Sequence, residues 1–333
     1  EKFNKFNHLK IHSQYSICEG AAKIADLAEF CKRNKVPSVG ISDTSNLCGA
    51  LEFSENLAKV GVQPIIGTQI NFKINDQIGS LPLIASNYIG YKNIIELSSS
   101  SYLKNYNSTI TNPYCSIEDL INLNNGIILL SGSLNGLIGN LFFKGFEKEI
   151  DILFDKFKNV FNDNFYLEIQ RHNDLNEKLF ESFLLKKSNQ FDIPLLASQE
   201  VFYLDQTMHE AHDALLCIGG KTYVNEKNRL KYSNQHYFKN NVEMEELFKD
   251  LPEALENNYN FPFKCSYKPY RSNPVLPNIK SNDQVNIDYE LEQLANKGLT
   301  QKFKEFDLKE NENIYKKRLN HELNIIKTMK YSG

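Results

Sequence analysis

Short apolar runs bounded by turn residues alternate with longer amphipathic stretches over the first two hundred positions. The runs are HLKIH at 8–12, SVGIS at 38–42, PIIGTQINF at 64–72, LPLIAS at 81–86, GIILLSG at 126–132, FYLEIQ at 165–170 and IPLLAS at 193–198. Each is short enough and apolar enough to be a buried strand. Between them, 21–35 places Ile24, Leu27, Ala28 and Cys31 on one helical face, and 47–60 is a helix stopped by Gly61. Further helical stretches are 88–103, 134–161 and 175–189. Repeated β–α units favour a parallel sheet, and about seven of them favour closure into a barrel over an open sheet. In parallel barrels the functional side chains sit at the C-terminal strand ends. His12, Asp43, Gln69, His172 and Glu200 all fall at or just past such an end.

The pattern changes after about Leu204. MHEAHDALLCIGG is an amphipathic helix ended by glycines, and VEMEELFKDLPEALENNYNF reads as two short helices, the second opened by Pro252. Residues 267–277 hold three prolines and read as a linker, followed by charged helices near 288–303 and 314–330. The expected division is a first domain over 1–268, with a barrel core of about 5–205 and a helical extension of about 206–268, then a linker and the beginning of a further region over 269–333.

Composition changes this picture little. With 41% hydrophobic and 24% charged residues, the chain is globular. A net charge of -3 and a pI near 6.2 argue against a general nucleic-acid coat. No apolar run approaches the roughly 20 residues that span a bilayer, and the opening EKFNKFN has no signal-peptide core. A cytoplasmic location without membrane partners is expected. The chain lacks an initiator methionine, so its natural start is expected to lie elsewhere. The six cysteines are scattered without a C-x-x-C pair, as in a protein of reduced thiols rather than a zinc ribbon. SGSLNGLIG at 131–139 has glycines but no phosphate-loop lysine, and reads as a strand-to-helix turn.

Taken in order, HLKIHSQYSICEGAAKI, ISDTSNLCGALEF, GVQPIIGTQINF, FYLEIQRH, ASQEVFYLD and EAHDALLCIGGK resemble the polymerase-and-histidinol-phosphatase (PHP) domain, in the form carried by alpha subunits of bacterial DNA polymerase III. Single segments are weak motifs. Six in register are specific, and the likeness covers essentially the whole chain. The resemblance implies an α/β fold, a distorted parallel (β/α)7 barrel, followed by a mainly helical segment leading into a polymerase palm. In active family members the barrel mouth holds a cluster of divalent ions that activate water against phosphoesters.

The resemblance also implies which positions carried the ligands. HLKIH puts Lys10 where the family has the first histidine of a His-x-His pair, with His12 as the second. Glu19 stands for an aspartate, and Thr44 for a histidine beside Asp43. Gln69 stands for a glutamate, Ser80 for a histidine, Glu200 for an aspartate and Phe202 for a histidine, while His172 is kept. Ligands are thus expected to be lost at Lys10, Thr44, Gln69, Ser80 and Phe202, leaving His12, Glu19, His172 and Glu200. No catalytic, cofactor or multi-metal site is expected in this chain, and at most a single weakly bound ion at the remaining positions. Lys10 is expected to neutralise Glu19 or Glu200 in place of an ion.

As a function, the resemblance implies the N-terminal part of a replicative DNA polymerase, a DNA-directed nucleotidyltransferase. Its barrel would be a scaffold and a docking surface for a separate proofreading exonuclease of the epsilon type. The other implied partners are the polymerase III holoenzyme with its sliding clamp, and primer–template DNA held mainly by later domains. The magnesium-binding palm aspartates are absent here, so this chain alone should not polymerise. Two alternatives stand beside this: a residual metal-dependent phosphoesterase or 3′-5′ exonuclease, and a stand-alone histidinol-phosphatase-like enzyme. His12 and His172 are expected to be hydrogen-bonded residues lining a filled mouth. His8, His209, His212, His236 and His321 are expected to be capping or surface groups, and Lys316 and Lys317 a solvated face.

Overall fold

The computed structural model describes residues 5–104, 112–275, 286–306 and 311–333. It divides into two compact units, Glu1–Tyr270 and Arg271–Gly333. In the first, nine strands are described: β1 Lys10–Ile11, β2 Ser38–Thr44, β3 Gln63–Ile74, β4 Gln77–Ala85, β5 Cys115–Ser116, β6 Ile127–Leu130, β7 Phe165–Ile169, β8 Leu195–Ala197 and β9 Glu200–Val201. Their order is β8-β7-β6-β4-β3-β2-β1-β9, with β5 appended to β3.

The two ends of that order are one stretch of chain. Leu195–Ala197 pairs with β7, and only Ser198 and Gln199 separate it from Glu200–Val201, which pairs with β1. Covalent continuity therefore closes the sheet, and a kink at 198–199 hands the strand from one neighbour to the other.

The distortion from a regular parallel barrel lies at β4. It returns from β3 as a hairpin across Asn75 and Asp76, with Asn75 at φ 50°, and runs antiparallel to both β3 and β6. The other ladder pairs are parallel. Asparagine tolerates that left-handed turn better than most residues.

Helices α1 Ile24–Arg33, α2 Ala50–Lys59, α3 Tyr88–Lys104, α4 Ile117–Asn122, α5 Leu137–Phe143, α6 Glu147–Phe161 and α7 Glu177–Phe191 connect the strands. The single helical stretch expected over 134–161 is two helices, broken at 144–146. The face of α1 that periodicity picks out is the buried one: Ile24, Leu27, Ala28 and Cys31 pack with Phe53 and Leu57 of α2 against Val39, Ile41 and Ile66 of the sheet. Helices α8 His209–Gly220, α9 Asn241–Leu247 and α10 Pro252–Asn260 follow the barrel strands. The fully buried Asn258 of α10 ties both sides of the closure. Its Oδ1 accepts from the Asn7 amide, and its Nδ2 donates to the carbonyls of Asn7 and Ala197. The second unit contains α11 Ile287–Phe306 and α12 Glu312–Thr328, where Lys327 pairs with Glu292. No helix among the described residues is long and apolar enough to cross a membrane.

The barrel interior changes character along its strands. Ile65, Ile84, Ile128, Tyr166 and Leu196 form an apolar cluster with Phe261 and Cys265. Two or four residues farther along the same strand faces come Gln69, Ser80, Glu168, Gln170 and, beyond the kink, Glu200. The period of two that buries one apolar layer therefore delivers a polar layer above it.

Candidate functional site at the barrel mouth

The polar layer is built around Lys10, whose side chain is fully buried. Its Nζ lies 3.2 Å from Glu168 and 3.7 Å from Glu200 Oε2. Glu200 stands directly across from it on β9, paired in register. Glu168 comes from β7, and its Oε1 also accepts from Gln170 Nε2 at 2.7 Å. The expected partner Glu200 is present, while Glu19 instead accepts from the Thr44 hydroxyl at 2.6 Å. Glu168 was not singled out by sequence, although Tyr166, Glu168 and Gln170 alternate onto one strand face.

His12 is two residues beyond Lys10. Its Nε2 is 2.7 Å from Glu200 Oε1, and its Nδ1 is 3.2 Å from Ser16 Oγ. The Ser16 hydroxyl donates its one proton to Asp43 at 2.7 Å and accepts from the Thr44 amide. Its remaining lone pair can only accept, so Nδ1 of His12 is the donor. Glu200 Oε1 also accepts from Gln69 Nε2 at 2.5 Å. Burial opposes a charge on His12, but the Glu200 contact and nearby carboxylates outweigh it and raise its pKa. Burial likewise opposes a charge on Glu200, but Lys10 and His12 hold its carboxyl well below the usual range. Both directions favour a charge-assisted bond between the His12 ring and the Glu200 carboxylate, and Gln69 Nε2 lies 3.2 Å from the same His12 nitrogen.

His172, just past β7, is also committed. Its Nε2 accepts the Glu200 amide at 3.1 Å, so Nδ1 carries the proton and faces Glu177 Oε1 at 3.1 Å. Burial, then the proximity of His236 and Lys239, pushes its pKa well down, consistent with a neutral ring. Burial raises Glu177 to about 7. Phe202 stacks on His12 with ring centroids 4.5 Å apart, and also on Tyr232 and His212.

The mouth is not filled, contrary to expectation. It keeps a polar cavity of about 160 Å³ whose lining includes Glu19, Thr44, Gln69, Ser80, His172 and Glu200. The long amides and carboxylates that line it bind one another sideways and so leave the centre open. Three of the histidines expected to be capping or surface groups are buried: His8, His212 and His236. Their ring nitrogens meet backbone carbonyls, of Lys239, Glu19 and Glu200 respectively. His209 is half-buried and His321 exposed.

Among the described residues, His172, Asp174 and His236 bring potential metal-ligand atoms close together. The two imidazoles are stacked, with centroids 3.9 Å apart and planes 4° from parallel. Stacked rings keep their in-plane lone pairs in separate parallel planes, a poor arrangement for one shared ion. His236 Nε2 already meets Asp174 Oδ2 at 3.0 Å.

Two outcomes follow. Removing one partner of a buried ion pair strands the other, at a cost of about 3–5 kcal/mol. Lys10→Met should lower unfolding stability by that order in denaturant titrations, and adding Glu168→Gln should recover part of it. An unchanged midpoint for Lys10→Met would contradict this arrangement. The second concerns pH. Because the His12 pKa is raised on folding, its contribution is complete below the unfolded value of 6.5 and fades as pH rises through the folded value. The stability gap between the native chain and His12→Gln should therefore be widest in mild acid and narrow toward alkaline pH, read from urea midpoints across that range.

Comparisons with known proteins cover both the barrel and the chain beyond it. A family model described as the PHP domain matches residues 8–172. The DNA polymerase III subunit alpha of Caulobacter vibrioides is 35% identical over 98% of this chain and 29% of its own length. The same subunit of Rickettsia felis is 34% identical over 99% and 28%, and that of Borreliella burgdorferi 35% over 99% and 29%. The chain therefore spans under a third of the length of these curated relatives. A solved structure from Bifidobacterium adolescentis, provisionally named a metal-dependent phosphoesterase, covers 60% of this chain and 88% of its own, at 12% identity and a TM-score of 0.41. On the family model, the continuous match to these relatives and the closed α/β sheet, the chain belongs to the PHP-domain family and corresponds to the N-terminal PHP region of DNA polymerase III alpha subunits.

Proposed function

We propose that this chain is the scaffold portion of a replicative DNA polymerase alpha subunit, with a barrel mouth that has exchanged its metal cluster for an internal ion-pair network. The observation that carries this reading is the Lys10–Glu168–Glu200–His12 network, which places an ammonium inside the site and ties the His12 nitrogen that would face a metal to Glu200. A multi-ion centre needs clustered anionic or lone-pair donors to offset repulsion between cations. Here the carboxylates of Glu168 and Glu200 are already neutralised from within, and His172 has its free lone pair on a backbone amide. The residues present do not fit a phosphoesterase cluster, and no hydrolytic step is assigned to them.

In the parent polymerase, DNA synthesis would fall to magnesium-binding aspartates of a palm outside this sequence. The barrel would support that palm and offer a docking surface to a proofreading exonuclease subunit within the polymerase III assembly. Both roles rest on the similarity to the alpha subunits and on a barrel closed by its own chain. A residual phosphoesterase is the second reading, favoured only by the His172, Asp174 and His236 group.

The experiment is elemental analysis after exhaustive dialysis, paired with hydrolysis of a phosphodiester and of pyrophosphate in added manganese or zinc. The expected result is sub-stoichiometric metal and no turnover above that of a His172→Ala variant. Stoichiometric retained metal, with turnover abolished by His172→Ala, would establish the second reading instead.

A further inference from the structure

We infer that Asn125 is a site of spontaneous modification, in which it closes on Gly126 as a succinimide and opens to aspartate and isoaspartate. The sequence has two Asn–Gly pairs, 125–126 and 135–136. In this reaction the backbone nitrogen of the glycine loses its proton and attacks the asparagine Cγ. The C–N bond to the side-chain amide breaks and ammonia leaves. Water then adds to either ring carbonyl, giving aspartate or isoaspartate. No oxidant or enzyme is required. What the fold controls is whether the glycine nitrogen is free to attack.

The two pairs differ in that respect. Both asparagines are exposed. At the first, a turn is closed by the Ile127 amide donating to the Asn124 carbonyl at 3.1 Å, with Gly126 at φ 72°. The Gly126 N–H sits at the third position of this turn, and among the described residues no acceptor takes it. At the second, the Gly136 N–H donates to the Ser133 carbonyl at 2.9 Å, and Gly136 is itself buried. The Asn135 amide is held by Ser133 Oγ at 3.3 Å, and the Gly136 carbonyl accepts from Asn140 in the first turn of α5. Attack at Asn135 would break an ordered helix start. At Asn125 the attacking nitrogen itself has no hydrogen bond to give up among the described residues.

The modified turn would not be inert. The Gly126 carbonyl accepts from both the amide and the hydroxyl of Ser86 at 2.9 Å, where β4 gives way to α3. The approach of α3 is so close that a Cβ on Gly90 would stand 1.8 Å from that carbonyl oxygen. Asn93 on α3 donates to the Asn125 carbonyl at 2.8 Å. Isoaspartate adds a methylene to the backbone at this junction, so those bonds and the seating of α3 against β6 loosen.

The test is to age the folded chain at neutral pH and body temperature, then map peptides by mass spectrometry and label isoaspartate with an isoaspartyl methyltransferase. The modified fraction at Asn125 should exceed that at Asn135 several-fold. In denaturant, where both glycine nitrogens are free, the two should react at similar rates. An Asn125→Gln variant should lose the dominant labelled peptide. Equal or reversed rates in the folded chain would overturn the inference. So would an Asn125 that stays intact in the folded chain while reacting in denaturant.

Discussion

A lysine ammonium buried between two glutamates sets the terms for everything at the mouth of this barrel. The Lys10 side chain is fully buried, so Glu168 and Glu200 must stand where they do to offset its charge. Glu200 in turn raises the pKa of His12, and His12 meets the Ser16 hydroxyl that donates to Asp43. One cation thus orders donors and acceptors on β1, β2, β3, β7 and β9. Such a network adds little net stability compared with a well-packed apolar one. Its effect is on arrangement, because any member left unpaired is costly.

The fold puts this network where chemistry would otherwise occur. Strand alternation stacks a polar layer on an apolar one, and the β8–β9 kink turns Glu200 toward Lys10. A metal cluster and an ion-pair network solve the same electrostatic problem at that level, since each neutralises converging carboxylates. They differ in what they leave behind. A bound ion keeps an open position for water, whereas Lys10 and His12 spend their protons on fixed partners. The remaining cavity is polar, but Gln69, His172 and Glu200 on its wall are already bonded to neighbours.

Much of the barrel was legible because its strands are buried on both faces and read as continuous apolar runs. The reversal of β4 was not legible, because LPLIAS looks the same in either direction. The signal lay in the Asn75–Asp76 turn beside it. At the site, the positions of Lys10, His12, Gln69, His172 and Glu200 could be read from strand ends. Glu168 could not, because it is embedded among Phe165, Tyr166, Leu167 and Ile169 and looks like part of a core strand. The burial of His8, His212 and His236 was hidden for a different reason. Their partners are backbone carbonyls, which every residue supplies, so no sequence pattern marks them.

The central claim is that His12 is a charged, doubly protonated ring locked between Glu200 and Ser16. Nitrogen NMR of the histidine rings in isotope-labelled chain, with and without added zinc, tests it most directly. The account predicts imidazolium signals from both His12 nitrogens at neutral pH, unchanged by the metal. A neutral ring with one unprotonated nitrogen whose signal moves on zinc addition would contradict it.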